Sequence, residues 1–524
     1  MQFLWEKLKL KIKLKKVNFK VKILFLKTLD PILKSTERFA LDVLNDPKYD
    51  KFPQYIDKNE IQKVFDKYGY KLNPFNDATF SVGMNPPNVE GHFLAQNIPE
   101  IDSTIIDEPC EEKKVKNILE KDNEITHVGL STYAIGLENA MKIIKMIQKD
   151  FPDKIIYLGG IGVLYSQLQK LIQKENICFG CGINWLREKF KLPLLEPKDY
   201  KIPIIETYGT EFISYTTYFV SQIGCPNRCN FCITGKFVNH IPFCDEKRII
   251  KFIEELKNSR NTDLFLYICD PNAFFPESVW KKVFQYFIDN NKKDKYIYII
   301  CPVSLAHLKK FNLKIIQKKC AIKILIANFG IESTLEGGYK KNFKITNKYI
   351  DELNNLGILT YHNFILGLPY HNKKNITLEI ERNLQYNSAM FSINTLKPIP
   401  TTSIYELFKR DNRLFGEDLP TEFLYQDGFF PFTHQHLGKG FDVLKYAFKA
   451  YYKSEEKILN PFVKFAEILS RSPIINTSLK LKKIAKMFLK MSETNLISFK
   501  LRMSLDLIKK YESKLIRVKN KLYK

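Results

Sequence analysis

The sequence predicts an α/β protein in which two runs of alternating strands and helices are joined by a Pro-rich linker. Short apolar strands alternate with amphipathic helices from about residue 101 to 190, and again from about 213 to 410. Between the two runs, residues 191–212 are rich in Pro and polar residues. The length of 524 residues and the hydrophobic content of 45% allow each run its own core. Such alternation is typical of parallel sheets covered by helices.

The first 74 residues are predicted to form a basic arm and a helical lead-in. Residues 1–27 carry a net charge of +8 and residues 480–524 carry +11, out of +25 for the whole chain. The positive charge is therefore concentrated at the two ends, and the body is only mildly basic. Basic ends can bind RNA or an anionic membrane surface. The alternative to a binding role is that the charge reflects a Lys-rich composition throughout the chain, and we favour this alternative.

Residues 75–190 are predicted to form a flavodoxin-like domain with a parallel sheet. One strand leads into Ser131, the next ends at Gly159 and Gly160, and a third ends at Gly180. A glycine at the carboxyl end of a strand lets a ligand approach the backbone closely, and ligands of such sheets bind at that edge. These four residues are the candidate ligand-binding positions of this domain.

Residues 213–410 are predicted to form a partial (β/α)6 TIM-type barrel. Six apolar strands follow one another with helices between them, beginning at the strand that leads into SQIGCPNRCNFC. The active sites of such barrels lie at the carboxyl ends of the strands. Residues 415–524 are predicted to be a helical and basic C-terminal extension.

The stretch CPNRCNFC places three cysteines, Cys225, Cys229 and Cys232, at three-then-two spacing on one loop. Three thiolates can hold three irons of a 4Fe–4S cube and leave the fourth iron open for a substrate. A closed structural zinc site usually has four ligands, and buried thiols are the remaining alternative. Ten cysteines in a chain of this size indicate a reducing compartment rather than a disulfide framework.

This cysteine spacing, with Phe231 just before the last Cys, resembles the radical S-adenosylmethionine (radical SAM) superfamily. Further segments match the family in order: Asp270 in YICDPN, Gly330-Ile-Glu332-Ser333, Phe364-x-x-Gly367-x-Pro369 and PIPTT at residues 398–402. The resemblance implies a cluster on the three cysteines and S-adenosylmethionine (SAM) as a second cofactor. It implies SAM contacts at the following positions: Phe231, Asp270, Gly330, Glu332, Ser333, Gly367 and Pro369.

Each of these segments also has a purely structural interpretation. Asp270 could cap the following helix, Glu332 and Ser333 could be an exposed loop pair, and Gly367 and Pro369 could be turn residues. The chain departs from the family at Ile223, where many relatives have Arg, and at Thr401, where the family's turn has Gly.

Residues 75–190 resemble the cobalamin-binding domain found upstream of many radical SAM proteins. The matching pieces are Val128–Thr132, Leu158–Gly160 and Cys178–Gly182. The family commonly has Gly-Glu-Gly-Glu where this chain has Gly180-Cys181-Gly182-Ile183, and no Asp-x-His-x-x-Gly sequence supplies a histidine to cobalt. The resemblance implies cobalamin as a third cofactor; a degenerate domain without a ligand is the alternative.

Together these resemblances imply an enzyme that cleaves SAM to a 5′-deoxyadenosyl radical for C–H functionalisation, with cobalamin-dependent methyl transfer as the leading reaction. A cobalamin-free radical SAM enzyme is one alternative, and an RNA- or membrane-binding protein with a structural cluster is another. The expected partners are a small-molecule, lipid or peptide substrate and an electron donor such as flavodoxin or ferredoxin, without nucleic acid. No run of eighteen apolar residues exists, so we expect a cytoplasmic protein, with peripheral membrane contact as an alternative.

Overall fold

The computed structural model describes residues 21–28, 36–68, 87–207, 216–259, 262–290, 295–335, 346–416, 418–453, 461–499 and 505–523. Residues 1–20, which belong to the basic arm and lead-in predicted for the first 74 residues, lie outside this set. The chain forms two compact units. Unit 1 comprises Met1–Pro31 and Asn88–Leu194, and unit 2 comprises Ile32–Pro87 and Leu195–Lys524.

Unit 1 is built on a parallel sheet of four strands. They are β1 (Lys22–Thr28), β2 (Asp102–Ile105), β3 (His127–Thr132) and β4 (Ile155–Gly159), in the spatial order β2-β1-β3-β4. A parallel bridge from Leu158 to Ile177 occupies a fifth position beside β4. This is the 2-1-3-4-5 order of flavodoxin-like sheets, which confirms the fold predicted for the first run.

The first strand of this sheet comes from the segment that the sequence analysis assigned to the basic arm. Strand β1 pairs with both β2 and β3, and its residues Ile23–Leu26 are at most 4% exposed. The excess of lysines in residues 1–27 suggested a basic arm. The run Ile-Leu-Phe-Leu is instead typical of a central parallel strand that is buried on both faces. The sheet therefore begins upstream of residues 32–87, which belong to unit 2.

Helices cover the sheet of unit 1 because each has one apolar face. Leu137–Asp150, for example, buries Ala140, Ile143, Ile144 and Ile147 at helical spacing. The helices of this unit are Val89–Asn97, Glu112–Lys121, Leu137–Asp150, Ser166–Gln169 and Gly182–Lys189.

Unit 2 contains a seven-stranded sheet with six parallel strands in sequential order. The strands are β5 (Ile205–Thr207), β6 (Thr216–Phe219), β9 (Leu264–Ile268), β10 (Ile297–Pro302), β11 (Ile322–Glu332), β12 (Leu359–Leu366) and β13 (Met390–Thr395). Their order is β13-β12-β11-β10-β9-β6-β5, and only β5 runs antiparallel to its neighbour. Two short strands, β7 (Gln222–Ile223) and β8 (Ile241–Pro242), form a separate hairpin. The six parallel strands confirm the predicted partial barrel of βα units.

Unit 2 has helices before, between and after its parallel strands. Those before and between the strands are Thr36–Asn45, Lys58–Tyr68, Thr234–Phe237, Glu246–Ser259, Glu277–Asp289, Leu305–Leu308, Leu313–Lys319, Asn347–Asn355 and Asn375–Gln385. Those after the last parallel strand are Ser403–Arg410, Leu444–Lys453, Pro461–Leu469, Leu479–Phe499 and Leu505–Tyr523.

The C-terminal extension is helical, as expected, but it also contains an antiparallel hairpin. Strands β14 (Phe430–His434) and β15 (Gly438–Gly440) pair within a region that the sequence analysis assigned to helices. The reason is the run FFPF, which fills an aromatic cluster: Phe429, for example, packs 4.6 Å from Phe423 and 5.0 Å from Phe441 between ring centroids. Among the described residues, no helix is long and apolar enough to cross a membrane.

Candidate functional site

The cysteine loop leaves the β7 strand and folds tightly. Gly224 has a φ of +71°, and a Cβ added there would lie 2.7 Å from the carbonyl oxygen of Val238. Only glycine satisfies both requirements. Within the loop, the Cys232 amide donates to the carbonyl oxygen of Cys229 over 3.2 Å. The sequence CPNRCNFC thus forms a compact turn, as three ligands to one cluster require.

All three thiols of this loop are partly exposed. Burial raises the pKa of Cys225, and the neighbouring Cys232 and Cys229 raise it further, so both lie within electrostatic range of Cys225. Among the residues that the structure describes, no three His, Cys, Asp or Glu side chains form a preassembled metal cluster. The donor set nevertheless fits an iron–sulfur cluster, because three thiols on one loop are the ligands that such a cluster takes.

Asp270 lies at the carboxyl end of β9 and is fully buried. Its carboxylate accepts hydrogen bonds from the Ser221 amide (2.8 Å), the Gln222 amide (3.2 Å) and the Ser221 hydroxyl. The N-cap of the following helix is Pro276, so Asp270 does not have the capping role. It holds the chain three residues before Cys225. The structure therefore assigns it the positioning of the cysteine loop, and a direct contact with SAM stays a prediction.

A polar network that the sequence analysis missed continues from this point. The side chain of Gln222 donates to the carbonyl oxygen of Asn272 over 2.8 Å, and a ring nitrogen of His240 lies 2.5 Å from Oε1 of Gln222. The buried Asn272 in turn hydrogen bonds His307 Nδ1 (2.6 Å) and accepts from the Ser304 amide (2.9 Å). The only available signal was the polar residue pair at the end of β9 in YICDPN.

Phe231 connects the cysteine loop to the other family segments. Its ring packs against the apolar cluster that includes Phe364, Leu368 and Phe430. The backbone carbonyl of the adjacent Asn230 accepts from the Ile404 amide over 3.3 Å. The loop is therefore in contact with the segment after β13.

Thr401 occupies the position where the family's turn has glycine, and its backbone keeps the conformation that glycine favours. Its φ is +73°, which is uncommon for a β-branched residue and costs about 1–2 kcal/mol. The next residue offsets part of this cost: the Thr402 hydroxyl donates to the Ile399 carbonyl (2.7 Å) and accepts from the Tyr405 amide (3.2 Å), which caps the helix Ser403–Arg410.

The segment Gly330–Ser333 forms an irregular end of β11. The pairing with β12 shifts between Gly330 and Glu332, and Glu332 has a φ of +62°. A Cβ on Gly330 would overlap the carboxylate of Glu332, so the Glu332 side chain lies across the glycine. This places a carboxylate at the carboxyl edge of the sheet, and its contact with SAM stays a prediction.

Ser333 binds a buried acid that sequence reasoning did not single out. Its hydroxyl donates to Oε2 of Glu379 over 2.6 Å, and Oε1 of Glu379 accepts from the Thr334 amide over 2.7 Å. Burial alone would raise the pKa of Glu379, but the nearby His371 and these hydrogen bonds bring it below its ordinary value. The carboxylate therefore remains charged and holds residues 333–334 in place.

His371 ties the same acid to the turn that contains Gly367 and Pro369. Its Nδ1 accepts from the amides of Gly367 (3.0 Å) and Leu368 (3.2 Å), so any ring proton lies on Nε2, 3.7 Å from Oε2 of Glu379. On the other side, Nε2 of His434 lies 3.0 Å from the Leu368 carbonyl oxygen. Glu379 thus joins two predicted SAM-contact segments.

The candidate residues of unit 1 lie at the carboxyl edge of its sheet. Ser131 is in register with Gly159, and the Thr132 hydroxyl donates to the Gly159 carbonyl over 2.7 Å. A Cβ on Gly159 would meet nothing within 4 Å, whereas one on Gly160, whose φ is +82°, would overlap the Thr132 backbone. Gly160 is therefore explained by chain packing, while Gly159 borders open space. Gly180 follows the fifth, bridging position.

Solved structures similar to this chain include radical SAM enzymes. The radical S-adenosylmethionine methyltransferase TsrM from Kitasatospora setae, with cobalamin and a [4Fe-4S] cluster bound, aligns over 76% of this chain and 79% of that chain, with 10% identity and a TM-score of 0.49. Coproporphyrinogen III oxidase (HemN) from Escherichia coli aligns over 45% of this chain and 52% of that chain, with 14% identity and a TM-score of 0.26. No family model matches the chain, and no curated protein matches it in sequence.

The substitution Asp270→Asn should remove a pH dependence of stability. Burial raises the pKa of Asp270 to about 7, against roughly 3.9 when unfolded, so the folded state binds this proton more tightly. Its contribution to stability is complete below about pH 4 and is lost as the pH rises through about 7, by on the order of 4 kcal/mol. Urea unfolding between pH 4 and 8 measures this slope. The exposed Asp289→Asn should keep the wild-type slope, and an unchanged slope in Asp270→Asn would contradict the assignment.

The substitution Glu379→Ala should destabilise unit 2 by about 3 kcal/mol, because it removes a buried acceptor from the partly buried Thr334 amide and Ser333 hydroxyl. The free energy of urea unfolding measures this effect. Glu352→Ala, at an exposed position of the helix Asn347–Asn355, should change it by less than about 0.5 kcal/mol. Equal effects of the two substitutions would show that Glu379 does not join the segments.

Proposed function

We propose that the chain is a radical SAM enzyme in which Cys225, Cys229 and Cys232 hold a [4Fe–4S] cluster. The observation that carries this proposal is the compact three-thiol loop at the carboxyl edge of six sequential parallel strands. When bound, the cluster supplies the electron that cleaves SAM to a 5′-deoxyadenosyl radical.

The residues around the loop position it. Asp270 fixes the two residues that precede the loop, and Phe231 packs into the adjacent apolar cluster. The raised pKa of Cys225 means that this thiol keeps its proton until a metal displaces it, so cluster assembly releases protons. A dry, fixed setting is what radical chemistry needs to avoid side reactions.

We further propose that SAM binds along the edge formed by Gly330, Glu332, Ser333, Gly367 and Pro369. Support comes from the buried Glu379, which accepts hydrogen bonds from Ser333 and Thr334 and whose Oε2 lies 3.7 Å from Nε2 of His371, the residue that accepts from the Gly367 amide. A one-electron donor such as flavodoxin or ferredoxin would be the protein partner, because the cluster must be reduced for each turnover.

Replacing the cysteines separates the cluster from other metal binding. Reconstituted wild-type protein should contain about four irons per chain and release 5′-deoxyadenosine from SAM under reducing conditions. The triple variant Cys225→Ala, Cys229→Ala and Cys232→Ala should retain less than about one iron and release none. Iron and sulfide analysis and chromatography of the nucleoside measure both quantities.

The matched control is Cys181→Ala, which removes a partly exposed thiol from unit 1. It should keep the wild-type iron content and nucleoside yield. Iron loss in the control together with iron retention in the triple variant would move the cluster to another site and overturn the proposal.

For unit 1 we propose cobalamin as the ligand and methyl transfer as the reaction. The supporting observations are the flavodoxin-like strand order and the open space above Gly159 at the carboxyl edge of β4. Open backbone at this edge allows a large planar ligand or its nucleotide tail to approach.

Gly159→Leu should abolish cobalamin retention without unfolding unit 1, because its side chain would project into open space. Anaerobic reconstitution with hydroxocobalamin followed by desalting should leave a corrin-to-protein ratio near one, by a single-site estimate, in the wild type and near zero in the variant. Ile155→Phe, at the other end of β4, should retain cobalamin. No retained corrin in a wild-type protein that keeps its cluster would leave unit 1 without this role.

A further inference from the structure

The C-terminal helices close the end of the barrel opposite the cysteine loop. The term C-terminal helices here means Pro461–Leu469, Leu479–Phe499 and Leu505–Tyr523 with the turns between them. Lys480 Nζ donates to the carbonyl oxygen of Asp263 over 2.6 Å, immediately before β9 begins. Arg471 donates to Oδ1 of Asn355 over 3.0 Å, shortly before β12. These anchors lie at the amino ends of the strands, whereas the cysteine loop follows a carboxyl end.

A cavity of about 70 Å³ lies between these helices and the sheet. The sheet contributes Phe265, Ile300, Leu325, Ile326, Leu359 and Met390, and the helices contribute Phe465, Leu469, Ile484, Met487 and Phe488. We call this cavity the apolar chamber. A cavity needs roughly 10–15 Å³ to hold one water molecule, so the chamber has room for about five atoms of carbon size.

The walls of the apolar chamber offer no polar atom. Two hydroxyl-bearing residues, Thr360 and Tyr361, border it without presenting polar atoms to it. The Thr360 hydroxyl donates to Oδ1 of Asn354 over 2.9 Å. Water inside would have no hydrogen-bond partner, so the chamber favours an apolar occupant.

The same face of the sheet becomes polar towards the carboxyl edge. Alternate residues of a strand share a face, so Asn328 follows Ile326 on β11, and Tyr361 and Asn363 follow Leu359 on β12. Asn328 is in register with Tyr361, and Nδ2 of Asn363 donates to Oδ1 of Asn328 over 2.6 Å. These side chains are partly exposed. We call Asn328, Tyr361, Asn363 and Ser392 the polar rung.

We propose that the substrate is a small amphiphile, with an aliphatic end of about five carbons in the apolar chamber and its polar groups on the polar rung. This inference deepens the proposed function, on which it rests for the reaction but not for the binding. The dry chamber at one end and the polar rung towards the catalytic edge would orient such a molecule along the barrel, with its polar part nearer the cysteine loop.

The test measures binding of 1-hexanol to the full-length protein by saturation-transfer NMR and by the shift of the melting temperature. Wild-type protein should bind 1-hexanol saturably and bind 1,6-hexanediol at least tenfold more weakly, because the diol would bury a second hydroxyl without a partner. Ile326→Phe, which fills the chamber, should weaken 1-hexanol binding at least tenfold. Ile475→Phe makes the same change in the same apolar cluster away from the chamber and should bind within twofold of wild type.

No saturable binding by the wild type, or equal binding by the two variants, would overturn the proposal. If Ile326→Phe does not fold, as judged by circular dichroism, Met487→Phe fills the chamber from the helical side and carries the same expectation. All measurements are made with and without the reconstituted cluster. Retained 1-hexanol binding in a protein that assembles no cluster would contradict the proposed function and leave the chamber standing, so the two failures are distinguishable.

Discussion

The arrangement of six parallel strands in sequential order is the constraint on which the rest of unit 2 depends. Because these six strands run in the same direction, the chain segments after β6, β9, β11, β12 and β13 all emerge at one edge of the sheet. Motifs that are separated by up to about 170 residues in sequence therefore become neighbours: the Asn230 carbonyl accepts from the Ile404 amide. A different strand order would leave the same motifs apart.

Two buried acids hold backbone segments at this edge, and their environments shift their pKa values in opposite directions. Asp270 is surrounded by neutral donors, and the loss of water outweighs them, so its pKa is raised. Glu379 has its hydrogen bonds from Ser333 and Thr334 and also faces His371, and there the stabilising contacts outweigh the loss of water. Both side chains hold backbone segments, which is why each is buried although acids are usually exposed.

The barrel of unit 2 has two chemically different ends. Hydrogen-bonding side chains, strained backbone at Glu332 and Thr401, and the thiols gather at the carboxyl edge. The amino end is filled by aliphatic and aromatic side chains of the sheet and the C-terminal helices. Backbone strain concentrated at one edge is typical of sites where positioning has been favoured over stability.

Much of this protein is determined by local sequence pattern. The apolar periodicity predicted both α/β runs, and the three-then-two cysteine spacing located the loop, because these signals lie within a few residues of one another. The position of β1 could not be predicted in this way. Its pairing partners in β2 and β3 lie far along the chain, beyond residues 32–87, which belong to unit 2. Glu379 and Asn272 were also missed, because a single buried polar residue in a helix or turn has no pattern. Local sequence determines local chemistry. The choice of distant partners, the roles of lone buried acids and the apolar chamber arise only when the chain packs, since each depends on residues that meet through tertiary contacts alone.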